Sequence, residues 1–389
     1  MSASRHADEL LDRARGRLRL LLPSDTVLAD AHTHLGLDED GMRLDLASLL
    51  DDMDLHGIER ALVFPLNEPD RHPGYRAPND RVLGWAAESG GRLVPLARLD
   101  LSEDPIGEAE RCFAAGARGI KLHPRAQAFA VDDSRLEPVF ALAERHRFPI
   151  LIHAGRGMPP IGEALAQVSE RHPGAILILA HAAIVDQGRI ASLVAGRPNV
   201  FFDTSTWGAV DVLALLAHVS PEQLLFAADV PYGNFLTSLT MLASILEQLD
   251  VDDDIRRGIV GGTLEGIIAG ELPTLSPPVG PVEGSYRHTA MRVHSYLAAA
   301  TPLIWTRQPD VIGLMGLALT AASEGGDELA GVPELIEAAG RLWAEAPASV
   351  DGQGTPISAW ATHMRKVYAL VHLAQVALFC PRAAARVPV

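Results

Sequence analysis

A chain of 389 residues is too long for one ordinary globular core and implies a large domain with a smaller companion. Its composition, 48% hydrophobic and 21% charged, is that of a globular protein, and a formal charge of -16 without a basic stripe excludes nucleic acid as a partner. Two distant cysteines, Cys112 and Cys380, exclude a disulfide framework, and no apolar run reaches the roughly 18 residues needed to cross a bilayer.

Residues 1–24 read as an amphipathic helix. Asp8, Glu9 and Asp12 interrupt apolar residues that recur at helical spacing, and no small-residue cleavage site follows, so the segment is an N-terminal helix of a cytoplasmic protein and not a signal peptide. Residues 25–272 then repeat one unit. Short runs rich in Val, Ile and Leu alternate with longer segments of helical period, the pattern of parallel strands joined by crossover helices. Eight strands are predicted, over 27–32, 60–64, 93–99, 119–123, 150–153, 176–181, 200–203 and 225–229. Helices are predicted between them, among them 104–115, 136–145, 161–171 and 236–249. A period of roughly 25 to 40 residues, with no Gly-rich dinucleotide turn after the first strand, fits a closed eightfold barrel better than an open doubly wound sheet.

Residues 273–286 form a linker that Pro273, Pro277, Pro278, Gly280, Pro281 and Gly284 keep from being helix or central strand. Residues 287–389 carry four amphipathic helices, over 288–299, 311–323, 333–345 and 357–379, and read as a small bundle. Its histidines, His288, His294, His363 and His372, lack a ligand spacing and read as structural. The bundle resembles no family; covering the barrel mouth, forming a homodimer and binding a partner are the uses open to it.

In an eightfold barrel the chemistry sits at the carboxyl ends of the strands. The polar residues of this chain gather there: His32 and His34 on the first strand, Lys121 and His123 on the fourth, His153 on the fifth, His181 on the sixth, Asp229 on the eighth. Alternate residues of a strand share a face, so His32 and His34 converge, and two imidazoles together suit a divalent transition metal. Asp30 shares that face one layer deeper, where it hydrogen-bonds an imidazole from behind. Asp203 ends the seventh strand as a pocket-rim residue or a helix cap. Only two of the 33 basic residues are lysine, Lys121 and Lys366, so a lysine here needs a reason.

The segments Asp30-Ala31-His32-Thr33-His34, Gly119-Ile120-Lys121-Leu122-His123-Pro124, Leu151-Ile152-His153-Ala154-Gly155, Ala180-His181-Ala182 and Ala227-Ala228-Asp229-Val230-Pro231-Tyr232 together resemble the amidohydrolase superfamily. Within it they look like the amidohydrolase 2 branch, which holds metal-dependent hydrolases and nonoxidative decarboxylases. The resemblance covers about residues 25–272 and includes Ile259-Val260-Gly261-Gly262-Thr263, similar to the start of that branch's closing helix. Tyr232 stands where a histidine is frequent in the branch.

The resemblance implies an α/β fold, a (β/α)8 TIM barrel with an appended C-terminal all-helical domain. It also implies a divalent cation held by His32, His34, His153 and Asp229, with a position open for water as in a catalytic zinc site. Zn2+ is the metal expected, Mn2+ and Fe2+ are alternatives, and one ion is favoured over two. His181 then hydrogen-bonds the attacking water or the developing oxyanion, or in a binuclear site ligates the second metal; the first is favoured. Lys121 contacts substrate, is carbamylated to bridge two metals, or makes a structural salt bridge, with substrate contact favoured. His123 lines the pocket or caps the barrel rim.

The function expected is hydrolysis of an amide, ester or lactone, with Asp229 taking the proton of the attacking water. The alternative on the same site is nonoxidative decarboxylation of an aromatic or enol carboxylate. A rival of another class is a non-catalytic metal-binding scaffold or regulatory subunit working through the helical bundle. The partner expected is a small-molecule substrate, with no nucleic acid and no membrane.

Overall fold

Pro149–Ile152 and Ile176–Leu179 are apolar at every position and bury both faces, as strands do inside a layered α/β fold. In the computed structural model, which describes residues 2–39, 41–206, 208–280, 286–306, 308–346 and 358–386, they are two of ten strands. These are β1 Leu28–Leu37, β2 Arg43–Leu44, β3 Ile58–Pro65, β4 Leu93–Pro95, β5 Ala97–Arg98, β6 Ile120–Leu122, β7 Pro149–Ile152, β8 Ile176–Leu179, β9 Val200–Asp203 and β10 Leu224–Leu225. Neighbours pair in parallel, except that β2 folds back on β1 as an antiparallel hairpin. Helices occupy the intervals, including Pro105–Ala114, Glu137–His146, Gly162–Arg171 and Phe235–Gln248.

The strands form two ladders, in the orders β2-β1-β3-β4 and β10-β9-β8-β7-β6-β5. The closed eightfold ring expected of residues 25–272 is therefore not one continuous ladder: the strands form two sheets that meet at the seams through isolated backbone hydrogen bonds. At one seam, Leu96, which splits the expected strand 93–99 into β4 and β5, donates its amide to the Val63 carbonyl at 2.8 Å. At the other, the Ala31 amide donates to the Phe226 carbonyl at 3.0 Å and the His34 amide to the Val230 carbonyl at 2.7 Å. The expected strand 225–229 keeps ladder geometry only at its start, because Asp229 adopts a left-handed φ of 54° and Pro231 has no amide to give.

Strand alternation divides the core in two. Ala29, Leu62, Leu151, Ile178, Phe201 and Leu225 meet in one cluster enclosed by the strands. Their neighbours Ile150, Leu177, Phe202 and Leu224 point the other way, into the larger cluster shared with the helices. Leu264 and Ile267, on the helix Thr263–Ile268, plug the inner cluster from one end. Gly261, just before that helix, lies against β1 so closely that a Cβ there would meet the Val27 carbonyl and, at 2.9 Å, the Ala29 amide.

The C-terminal helices His288–Trp305, Val311–Glu324, Val332–Ala344 and Ser358–Phe379 contact one another in a ring of four. Of the linker expected over 273–286, residues 281–285 lie outside the described residues, as does Ile357 at the start of the last expected helix. The N-terminal helix Ala3–Leu21 packs on Phe235–Gln248, Val332–Ala344 and Ser358–Phe379, joined to the last two by Arg13–Glu334 (2.8 Å) and Lys366–Asp8 (2.7 Å). Phe235–Gln248 is buried along its whole length because helices cover it from both ends of the chain. Among the described residues no helix is long and apolar enough to cross a membrane.

Candidate metal centre

The carboxyl ends of the strands surround a cavity of about 600 Å³ bordered by His34, His123, His153, His181 and Asp229. β1 supplies His32 and His34 through an irregularity. Its register against β3 breaks between Asp30 and Thr33, and Ala29 and Ala31 belong to the apolar interior. The Asp30 carboxylate secures this break by accepting from the His32 amide (3.0 Å), the Thr33 hydroxyl (2.6 Å) and the Ala228 amide (2.7 Å). Asp30 was expected to support an imidazole; it instead ties the backbone of β1 to the segment that leads to Asp229.

His32 Nε2, His34 Nε2 and Asp229 Oδ1 form a triangle 3.2 Å on each side. Four donors about 2.0–2.1 Å from a tetrahedral ion lie about 3.3 Å apart, so the triangle has the size of one face of such a shell. Asp229 reaches it from a left-handed backbone conformation, and His181, with φ 59°, is another such residue. Both geometries are costly outside glycine and persist where surrounding bonds enforce them.

The hydrogen bonds set which imidazole nitrogens carry protons. His32 Nδ1 donates to Asp203 Oδ2 at 2.7 Å, which leaves the lone pair on Nε2, the nitrogen in the triangle. His181 Nδ1 donates to the Ser205 carbonyl at 2.9 Å, so its Nε2 accepts from His153 Nδ1 at 3.2 Å. The lone pair of His153 then falls on Nε2, a buried nitrogen with no hydrogen-bond partner. His34 Nδ1 is likewise buried without one. The unused His153 Nε2 suits a cation, whereas His34, with Nε2 in the triangle, carries its ring proton on Nδ1.

Burial lowers His32 and the four histidines that line the cavity. It takes His32 to about 3, with Lys121 adding to the effect and Asp203 opposing it. His34, His123, His153 and His181 fall too, chiefly through burial. Burial also drives Asp229 well above the carboxylate range, against the pull of Lys121. Lys121 comes down to about 7 through burial, opposed by Asp229 and Asp203. Burial works to raise Asp203 as well, but the neighbouring His32, through its charge and its hydrogen bond, holds that carboxyl below its ordinary value.

The remaining expected residues fall as follows. Among the described residues, the donor sets whose atoms all lie within 4.8 Å of one another are His32, His34, Asp229 and His32, His181, Asp203. His153 belongs to neither and meets the site through His181. Its ring stacks on His123 at 3.9 Å between centroids, and a Cβ on Gly155 would stand 2.8 Å from His153 Cε1. His123 both borders the cavity and caps the short helix Pro124–Gln127, accepting from the Ala126 amide at 3.1 Å. The Lys121 ammonium is fully buried, 3.4 Å from His32 Nε2 and 4.5 Å from the Phe64 ring centroid.

Asp203 is neither a rim residue nor a helix cap. Besides His32 Nδ1 it accepts from the His181 amide (2.8 Å), the Ser205 amide (3.1 Å) and the Ser205 hydroxyl (2.5 Å), so the second donor set is a hydrogen-bond network with its carboxylate already committed. Arg98, Arg125, Arg156 and Asp38 also line the cavity and had no distinguishing mark in the sequence. The bundle histidine His372 sits beside a second, much smaller cavity of about 10 Å³ whose other walls include Ser205, Asp229 and Thr237.

The amidohydrolase family model matches residues 29–263, more than half of the chain, and the chain belongs to that family. A search of curated proteins gives no match. Among solved structures, an uncharacterized TIM-barrel protein from Bordetella bronchiseptica is 17% identical with a TM-score of 0.50, over 62% of this chain and 98% of that one. The fold of the matched region is therefore of the TIM-barrel kind. A 2,6-dihydroxybenzoate decarboxylase from Rhizobium is 16% identical with a TM-score of 0.49, over 63% of this chain and 99% of its own. A 5-carboxyvanillate decarboxylase from Sphingomonas paucimobilis is 14% identical, with the same TM-score of 0.49 and the same coverage of 63% and 99%.

Proposed function

We propose that this chain is a metal-dependent hydrolase acting on a small amide, ester or lactone, with a single divalent cation held by His32, His34 and Asp229 and completed by His153. The observation that carries the reading is the triangle of donor atoms 3.2 Å apart at the wall of a cavity large enough for a small molecule. The tautomers support it, since His32 and His153 both direct an unprotonated nitrogen away from their hydrogen-bond partners. Zn2+ fits a donor set of imidazoles and one carboxylate, and Mn2+ and Fe2+ share that preference.

A divalent cation bound there supplies Lewis acidity toward a substrate oxygen and makes water more acidic. The chain's own groups handle orientation and protons. Asp203 fixes the His32 ring from behind through its 2.7 Å hydrogen bond. The Asp229 carboxyl, whose proton affinity burial raises, accepts the proton of the attacking water and returns it to the leaving group. His181 is the electrostatic partner: its Nδ1 is held by the Ser205 carbonyl and its Nε2 lone pair by His153. Lys121, buried beside His32, supplies positive charge toward a substrate carbonyl or carboxylate.

Nonoxidative decarboxylation is the second reading, favoured by the arginines on the cavity wall, which suit a carboxylate-bearing substrate. The two buried free thiols, Cys112 and Cys380, support a cytoplasmic setting. Elemental analysis of protein purified without chelator tests the centre. About one zinc, manganese or iron per chain is expected, with loss in His34→Ala and weakening in His153→Ala; two would promote Lys121 and His181 to ligands. A screen of esters, lactones, amides and aromatic acids, read by acid release and by evolved carbon dioxide, separates the two reactions. No metal after reconstitution would sink the metal-dependent mechanism, whereas bound metal without turnover of any of these compounds would leave the scaffold reading ahead.

A further inference from the structure

We infer that Arg98 anchors an anion subsite in the cavity and that the substrate carries a carboxylate which this guanidinium receives. The inference rests on the reading of the cavity as the substrate site of a metal-dependent enzyme and adds what the substrate must bear.

Arg98 closes β5 and borders the cavity, although only 1% of its surface is exposed. Its backbone is clamped in place: its amide donates to Asn79 Oδ1 at 2.9 Å and its carbonyl accepts from Asn79 Nδ2 at 3.0 Å. The guanidinium lies 4.8 Å from the centroid of the Tyr75 ring. A guanidinium has five N–H donors. One goes to the Pro65 carbonyl at 3.0 Å, another makes a long 3.4 Å contact to Asn67 Oδ1, and Nε is buried with no partner.

No carboxylate among the described residues pairs with this charge. Arg256, buried to a similar degree, has Glu247 at 2.9 Å. Asp38, the acid on the same cavity wall, turns Oδ2 to the Tyr232 hydroxyl (2.9 Å) and the Asn67 amide (3.2 Å). Burial lowers Arg98 from its ordinary value, opposed by Tyr75 and by the charge of Asp38, yet a guanidinium remains charged at any working pH, so the fold maintains a buried cation without an ion-pair partner beside its substrate space. The same charge acts to lower His34 and His123, which places its field within the site. Arg125 and Arg156 line the cavity too, but they are exposed and water already solvates them.

A planar carboxylate matches the fork of a guanidinium. A phosphate dianion does not suit this floor, because Asp38, Asp211 and Asp229 also border the cavity and would repel the second charge.

The test is a fluorine NMR titration with trifluoroacetate and its neutral isostere trifluoroacetamide, both small enough for the cavity, with inorganic phosphate as competitor. It is run on metal-loaded wild type, chelator-stripped wild type and Arg98→Met, with metal content measured on each. The expected result is a preference for trifluoroacetate over the amide that survives, reduced, in stripped protein. Arg98→Met should weaken trifluoroacetate roughly 30-fold at unchanged metal content and leave the amide alone. A preference that vanishes with the metal, or that Arg98→Met retains, overturns the inference, as does inorganic phosphate binding more tightly than trifluoroacetate. Should Arg98→Met fail to fold, the comparison of loaded and stripped wild type decides alone. Wild type that binds no metal yet keeps the Arg98-dependent preference sinks the metal reading and leaves the anion subsite standing; metal bound without any preference does the reverse.

Discussion

Replacing Asp203 by asparagine isolates the group that sets the His32 tautomer. Asp203 accepts from four donors, the His32 ring, the His181 amide, and the amide and hydroxyl of Ser205. An asparagine offers one oxygen and one NH2 group, so at least one donor must face another donor. If the NH2 turns to His32, the ring proton moves from Nδ1 to Nε2, the nitrogen within 3.2 Å of both His34 and Asp229, and a cation must first displace it. If the oxygen stays on His32, the His181 and Ser205 amides lose an acceptor and His181 is displaced from His153. Groups that orient a metal-binding imidazole are typically worth 10–100-fold in metal affinity, or about 1.4–2.7 kcal/mol. Zinc affinity by competition with a chromophoric chelator reads the loss, and long-range nitrogen–proton NMR of the imidazoles reads the tautomer. Ser205→Ala, which removes one neutral donor and keeps the charge, should cost about threefold or less. Asp203→Asn binding zinc as tightly as wild type, with His32 still protonated on Nδ1, would refute the reasoning.

Two further substitutions probe the surroundings of the site. Gly155→Ala brings a methyl to 2.8 Å from His153 Cε1 and 3.0 Å from His181 Cδ2, so the His153 ring must move; metal affinity should fall about tenfold with little change in thermal midpoint, and an unchanged affinity would show that the ring position does not matter. His372 tests the link between the bundle and acid stability. Burial lowers it to about 4, below an ordinary value near 6.5, so on acidification the unfolded chain takes up a proton that the folded chain refuses. Its contribution is neutral above pH 6.5 and increasingly destabilising from there down to about 4. Between pH 7.5 and 5, wild type should lose about 2 kcal/mol more stability than His372→Leu in urea titrations. Parallel losses in the two proteins would remove His372 from the acid limb.

What could be read from the sequence follows what a strand advertises. The runs at 149–152, 176–179 and 200–202 are apolar on both faces, so their place in a parallel sheet and the polar residue at each carboxyl end were both legible. Strand alternation fails where the ladder itself is irregular. At β1 the break between Asp30 and Thr33 moves the parity of the strand, and Asp30, read as a partner of an imidazole, holds that break together instead. At Asp229 and His181 the chain turns left-handed just past the strand, a conformation that neither residue type announces. The hairpin β2 was missed because a strand of two residues has no period to detect.

The two groups that matter most beyond the triangle were hidden for opposite reasons. Asp203 lies 171 residues from His32, and nothing local tells a carboxylate that ends a strand whether it will face solvent, cap a helix or pass beneath an imidazole. The choice is made by the packing of β9 against β8, which brings both oxygens under His32 and His181. Lys121 drew attention because lysine is rare in this chain, and by the same logic Arg98 escaped it, as one of 31 arginines that mostly serve as surface cations. What separates Arg98 from the others is the lack of a carboxylate partner at full burial, a property of three-dimensional neighbourhood alone. Rarity in the sequence thus points to residues whose type is unusual, whereas an ordinary residue kept at an energetic cost becomes visible only when its surroundings are known; in an enzyme site the second kind carries as much information about the substrate as the first.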